Sequence, residues 1–592
     1  MEDNMLEQKK KILLSSLVAG LALMACRDDA SEDANNTNNH TNHENHSTPA
    51  NHKENNTTAS SVTYHADVAP IVSKRCLGCH AEGGIGPLRF ETYEQFSTLA
   101  DVALNSIKEG SMPPWMPDPE CRHFQDERIM PGEEVEILEA WIAAGKPEGD
   151  PSTAQPLEPE APAAAIQATH TLPMPEPYTA DVDKLDDYRC FILDLDTSKE
   201  QYLRASQVIP GDDVIVHHVL VYALDQSLEE TVRNADMMEE GPGYTCFGSP
   251  LPSSDEGSGN NISNFGSGGT FPNQIGAWVP GSVPQRLDEN VGTRIDKGSL
   301  IVMQVHYNLL NPQQEPDESE LLLELTDEKP EYLSVVRPLP ILDFEIPAGE
   351  GNSVWTRPYT NYGEKAVTIR GMSPHMHQLG KSFNARLTRG GSASCGLEIP
   401  DWDFSWQQNY RVLPGEDIVL EPGDTIEIEC AYDNSPANQP IVDGNQIMPE
   451  TVTWGEGTLD EMCLLYLQMV EPYSDVAPAP STPCEPVQGC LDACGENPSL
   501  DCILSCEAGG LSCTSCVLQE GATCMPRCIP KVYAMRDCFT TCAIGAAILG
   551  SNLGECMKAE CGMGYEDLLA CSDPLVAQGK CDEALATCGA SF

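Results

Sequence analysis

The chain has 592 residues, too many for one core, and 91 acidic against 34 basic side chains give it a formal net charge of −57. That charge excludes nucleic acid as a partner and disfavours anionic small substrates, because like charges repel. The 25 cysteines are either disulfides or metal ligands, and the compartment decides which.

Residues 1–26 read as an export signal. Lys9, Lys10 and Lys11 open it, and the apolar run Ile12 to Met24 is too short to span a bilayer. The run ends in Leu23-Met24-Ala25-Cys26, which looks like a bacterial lipobox with Cys26 as the lipidated residue. The expectation is an exported lipoprotein, periplasmic or on the outer membrane or cell surface, held to the membrane by its N-terminal lipid. An ordinary secretory signal is the alternative, and export follows either way. Residues 27–61, rich in Asn, Thr and His, are too polar to form a core and read as a tether. Its His40, His43, His46 and His52 are expected to be solvated.

Residues 62–148 predict a small all-α domain. Cys76-Leu77-Gly78-Cys79-His80 has the spacing of a c-type haem attachment site, with thioethers to Cys76 and Cys79 and His80 as an axial ligand. Ser111-Met112-Pro113-Pro114-Trp115-Met116 offers the second axial thioether. Met112 is assigned because MPPW looks like the distal loop of small fused cytochrome c domains, with Met116 as fallback. A Met/His haem is a raised-potential electron carrier. Asp67 to Val72 reads as a short helix, and Glu133 to Ala144 as an amphipathic one with Val135, Leu138, Trp141 and Ile142 on one face, closing at Gly145. Residues 149–171, rich in Pro, Ala and Glu, form a semi-stiff linker.

Residues 172–335 and 336–472 predict two all-β sandwich domains. Strand-like runs recur at Val214–Ala223, Leu300–Leu309, Ala366–Arg370, Asp417–Leu420 and Leu464–Val470, separated by Gly, Pro and Asn/Asp turns. Beyond Leu172 histidine occurs only at His217, His218, His306, His375 and His377. Such sparing, clustered use points to metal. Imidazole suits copper, zinc, iron or nickel, and a thioether such as Met462 favours Cu(I). His375 and His377, two apart, share a face of any strand they occupy. The adjacent His217 and His218 can hold one ion only if their strand ends or distorts there.

The strings VHHVLVY, AWVPG, LIVMQVHYN, HMHQLGK and DEMCLLY, in that order, resemble the copper type II, ascorbate-dependent monooxygenases, the family of peptidylglycine α-hydroxylating monooxygenase and dopamine β-hydroxylase. The resemblance covers about residues 172–472 and implies two jelly-roll-like domains with one copper each. It assigns His217, His218 and His306 to an electron-storing copper. It assigns His375, His377 and Met462 to the copper that meets O2, and Tyr466 to the substrate pocket. It further implies a disulfide between Cys430 and Cys463; Cys190 with Cys246 is a second expected pair, while Cys121 and Cys395 have no evident partner. The peptide-amidating members carry an Arg two residues before the His-x-His pair to anchor a carboxylate. Here Ser373 stands at that position, so a neutral or cationic small substrate fits better.

After a linker at 473–483, residues 484–592 hold sixteen cysteines, expected to be a disulfide-rich α domain. C-x3-C recurs at 490/494, 502/506, 524/528 and 538/542. On helices those spacings place both sulfurs on one face, so paired helices can be laddered by disulfides. The whole chain predicts a copper monooxygenase that uses O2 as co-substrate and takes electrons through its fused haem from an upstream donor. The alternative is a surface copper-binding or electron-transfer protein without turnover.

Overall fold

The computed structural model describes residues 62–581 except for short stretches, the longest being 155–165, 253–272, 310–314, 475–489, 507–512 and 514–524. Cys26, the tether and parts of both linkers lie outside the described residues.

Residues 62–148 form helices and no regular strand. Thr92 and Gln95 make a reciprocal capping box that starts the helix Tyr93–Lys108. Its buried Phe96, Ala100 and Leu104 recur every four residues, one stripe along the helix. The helix Gly132–Ala143 buries Leu138 and Trp141 against that stripe. The chain leaves it through Gly145 at φ +83°, a conformation that favours glycine. Arg75 clamps Glu134 through two hydrogen bonds of 2.7 and 3.1 Å, tying the first helices to the last.

Residues 115–128 leave this module and pack on the second β half. Phe124 bridges to Val412, Asp118 N donates to Glu398 O (2.8 Å), and Gln125 N donates to Arg411 O (2.8 Å). Cys121 and Cys395 form a disulfide across this contact. The helical module is therefore stapled to the β region as well as joined to it by the linker.

The β region is built of three large sheets and two small two-stranded ones. A five-stranded antiparallel sheet in the first half runs Tyr244–Thr245, Asp186–Leu193, Leu300–Asn308, Val216–Leu224, Asn273–Trp278. Its central strand Leu300–Asn308 is buried on both faces except at Asn308, which is why LIVMQVHYN does not alternate. A four-stranded sheet in the second half comprises Ser353–Thr360, Thr425–Tyr432, Gly380–Arg389 and Ser392–Ile399. Both pack against one ten-stranded sheet that runs through both halves. The junction is a short parallel pairing in which Tyr332 and Leu333 lie beside Val291 and Gly292. The domain boundary drawn at 335/336 thus falls inside the strand Tyr332–Ile341. That strand serves both halves, because it also pairs along its length with Cys463–Pro472.

The cysteine-rich tail is helical and docked. Cys490 pairs with Cys506 and Cys494 with Cys502, so one C-x3-C motif is laddered onto the next. The motif 538/542 is laddered instead onto Cys561 and Cys556, and Cys528 reaches Cys571. Ser551 Oγ donates to Thr360 O (2.9 Å), Arg357 donates to Thr541 Oγ1 (2.7 Å), and Leu549 enters the core of the second β half. Among the described residues no helix is long and apolar enough to cross a membrane. The disulfides belong to an oxidising, exported setting.

Candidate metal centres and the cavity between them

His217 and His218 begin the strand Val216–Leu224, beside the strand that carries His306. Val216 faces Tyr307 and His218 faces His306, so His217 is the extra residue of a β-bulge. The bulge is the distortion that two adjacent ligands require. It leaves His217 Nδ1 3.3 Å from His218 Nδ1, which lies 3.4 Å from His306 Nδ1. Nitrogens of all three rings lie within 4.8 Å of one another.

His306 donates from Nε2 to Asp186 Oδ1 (2.7 Å), which leaves Nδ1 as a lone pair facing the other rings. Its ring stacks on Tyr188 at 4.0 Å and 7°. Asp186 also accepts the backbone N–H of Thr458 at 2.9 Å and the Thr458 hydroxyl. Burial raises its pKa, but the His306 and Thr458 hydrogen bonds outweigh that and hold Asp186 below the usual carboxylate value. Thr458 lies in the loop that leads to Met462, so one carboxylate joins the two halves.

In the second half His375 is the last residue of the strand Val367–His375, and His377 lies beyond it, in the turn before Gly380. The two therefore do not share a strand face as their spacing predicts. The turn brings the rings together, 5.1 Å between centroids at 83°. Each ring is held through Nδ1: His375 by Gln407 Oε1, and His377 by Asp460 O at 3.0 Å. Nε2 is left as the free donor on both.

Glu461 is fully buried and accepts the N–H groups of His377 (2.8 Å) and Leu379 (2.6 Å), bracing the residue before Met462 against the histidine turn. Burial pushes its carboxyl up to about 8, even against those donors. Met462 is buried, its carbonyl accepts the Tyr432 hydroxyl (2.9 Å), and the adjacent Cys463 is joined to Cys430. A further disulfide joins Cys190 and Cys246 beside Gln304, whose amide donates to Ser249 O (3.2 Å).

Burial dominates the histidine electrostatics. It holds His217 and His218 well below the ordinary value, with His306 adding to the effect. It lowers His375 to about 4 and His377 to about 3. These four rings are neutral at pH 7, the state in which imidazole binds metal. Three nitrogens at one site and two nitrogens with a nearby thioether at the other form a donor set that fits copper.

The two sets face each other. His218 and His375 lie 6.3 Å apart by ring centroids. Phe404 stacks on His217 at 4.4 Å and 17°, and its centroid is 6.0 Å from that of His377. Beside them opens a cavity of about 160 Å³ whose wall includes His218, His375, Met462, Tyr466 and Ser373. Sequence reasoning did not find Asp186, Phe404, Gln407 or Glu461. Only Glu461 had a signal, its place beside Met462 in DEMCLLY; the others come close through loops and strands remote in sequence.

In the helical module, Cys76 and Cys79 are the only unpaired cysteines among the described residues. Burial and the neighbouring Cys79 push the Cys76 thiol up to about 12. His80 Nδ1 contacts Leu88 O (2.9 Å) and its ring stacks on Phe90 (4.5 Å). With Nδ1 on a carbonyl, Nε2 keeps its lone pair. Met112 is half-buried in the turn after Tyr93–Lys108, its N–H on Ser106 O (3.2 Å). Met116, the fallback ligand, is committed elsewhere: its sulfur accepts Asp403 N–H (3.2 Å) on the second β half.

No curated protein matches the chain. Among solved structures it is similar to the major capsid protein P2 of bacteriophage PM2, with 8% identity over 52% of this chain and 99% of that one, TM-score 0.22. It is also similar to the VP2 subviral particle of infectious bursal disease virus, with 9% identity over 52% and 81%, TM-score 0.13. Likenesses that slight carry no argument. Residues 358–478, the segment with His375, His377 and Met462, match the family model of the copper type II ascorbate-dependent monooxygenase, C-terminal domain.

Proposed function

We propose that this chain is a copper-dependent monooxygenase that hydroxylates a C–H bond of a small organic substrate. The balance is R–H, O2, two electrons and two protons giving R–OH and water. His217, His218 and His306 would hold one copper, and His375, His377 and Met462 the other. Bound there, copper supplies the one-electron steps and the contact with O2.

The protein residues do the positioning. Asp186 sets the His306 tautomer. Gln407 and the Asp460 carbonyl turn Nε2 of His375 and His377 inward. Glu461 keeps Met462 registered with the histidine turn. Phe404 closes the gap between the sets. The observation that carries the reading is the cavity bounded at once by His218 of one set and by His375 and Met462 of the other. A pure copper store has no use for an organic-sized space there.

Cys76, Cys79, His80 and Met112 would hold a c-type haem serving as electron carrier, charged by an upstream donor. Two observations support this. The two cysteines stay unpaired while every other described cysteine with a settled state is bridged. The segment following Met112 also runs by Met116, Asp403 and Phe404 to His217. Lipidation at Cys26 would place the enzyme on a membrane surface.

The test is metal analysis of the purified protein with a haem assay, followed by O2 uptake and product mass on a panel of small organic substrates. Two coppers, one covalent haem and a product with one added oxygen are expected. Zinc at both sites without copper uptake on exchange removes the reading. Copper and haem without O2 uptake on any substrate supports an electron-transfer protein instead.

A further inference from the structure

Among the described residues, the cavity beside His375 and Met462 has a wall without a single Lys, Arg, Asp or Glu. In a chain with 125 such residues that exclusion is local and specific. The wall is built instead of aromatic rings (Tyr188, Tyr222, Trp278, Tyr466) and side-chain amides. Charge begins in the adjoining space. A neighbouring chamber of about 100 Å³ shares Gln408, Asn409 and Gln468 with this cavity, and there Asp126, Arg128, Arg286 and Arg411 appear. Asp126 is paired with Arg411, and Arg286 with Glu324 at 2.7 Å.

Of the seven side-chain amides in the wall, four have hydrogen-bond partners. Gln407 is held between His375 and Phe404 O, Asn409 accepts from Ser373, Gln468 donates to Ser334, and Gln304 to Ser249. Gln408 differs. Its Nε2 is buried and has no hydrogen-bond partner among the described residues. A buried amide left unsatisfied is costly, so a ligand toward which the Gln408 side chain turns its Nε2 gains a hydrogen bond the free protein lacks. A charged ligand entering the same space would lose its hydration and find no charged side chain in the wall to pair with.

We infer that the site takes an uncharged substrate bearing a carboxamide or a comparable neutral hydrogen-bonding group. That group is anchored at Gln408, and the carbon to be hydroxylated is directed toward His375 and Met462. The cavity beside His375 is close to the roughly 150 Å³ that accommodates one benzene ring, so one ring or a short chain fits within it. Ser373 does not substitute for an anchoring cation, since its hydroxyl is already spent on Asn409 Oδ1 (3.2 Å). The inference rests on the monooxygenase reading for the fate of the ligand, but the binding preference can be measured without turnover.

The experiment is equilibrium dialysis of the full-length protein as purified, without reductant, against three isosteres: 2-phenylacetamide, phenylacetate and 2-phenylethylamine. The amide is expected to bind at least about tenfold more tightly than either ion, since one unpaired buried charge costs more than that. Gln408→Leu should weaken amide binding about fivefold, the worth of one ordinary hydrogen bond. Gln408→Glu, of the same shape, should turn the preference toward the amine. Equal or tighter binding of either ion, no binding of any of the three, or a Gln408→Glu protein that melts like the parent and still prefers the amide each overturns the inference. Amide preference in a protein that fails to take up copper would remove the monooxygenase reading and leave this one standing.

Discussion

The two histidine sites solve one problem in different ways. In the first half, the three rings come from two neighbouring strands, one of them bulged at His217, and their Nδ1 atoms already lie 3.3 to 3.4 Å apart along the chain of contacts. In the second half the donors come from a strand end, a turn and the start of another strand, and each is held by a partner of its own. The free nitrogen differs too. Nδ1 lies close to the backbone, so an ion on it sits against the sheet. Nε2 is the far side of the ring, so an ion on it is pushed toward the cavity. The first arrangement suits an ion that only exchanges electrons, and the second suits one that must meet a substrate.

The largest expected effect breaks the second site alone. Met462→Ala should lower substrate-dependent O2 uptake by more than roughly 100-fold, beyond the range of outer-shell changes. Copper at the three-histidine site should be retained, because its ligands sit on separate strands. Metal content and oxygen-electrode rates read both halves of the statement; full activity would show that Met462 is no ligand.

Asp186→Asn sharpens the contrast from the other side. It keeps the shape but weakens the hold on His306 Nε2 and on Thr458, and copper binding at the first site should fall roughly 10–100-fold. The second site should lose less, since only the Thr458 loop reaches it. A chelator competition titration followed by copper spectroscopy separates the two, and equal losses at both would make the carboxylate a general structural prop.

The smallest effect concerns the staple. Cys121→Ser with Cys395→Ser should leave both copper sites filled, because neither cysteine adjoins a ligand. It should loosen residues 115–128 and, if the module holds the haem proposed above, slow by severalfold the reoxidation of that haem by O2 in the presence of substrate. Stopped-flow absorbance at the haem band decides it. An unchanged rate would mean that the backbone pairing of Asp118 and Gln125 with the second half holds the module unaided.

Much of this was legible in the chain because its signals are local. Clustered histidines, strand-like runs and the C-x3-C ladder each need only a few neighbouring residues. The strand Leu300–Asn308 and the helix Gly132–Ala143 lie within a residue or so of where their patterns place them. The His217 bulge was legible as a requirement, since adjacent side chains on a regular strand face apart. The spacing of His375 and His377 misled on conformation, because period-two logic holds only while the strand lasts and the strand stops at His375.

By itself, then, the sequence determined which donors exist, which short elements carry them, and that the cysteines work in an exported protein. Tertiary structure alone decided the pairing of Cys121 with Cys395, 274 residues apart, and the sheet shared by both halves. It alone decided that Asp186 reaches Thr458, and that no charged side chain among the described residues lines the cavity beside His375. The reason is physical. Propensity and periodicity act over one or two turns of chain, whereas a cavity wall is a boundary condition met by residues from several strands and loops at once.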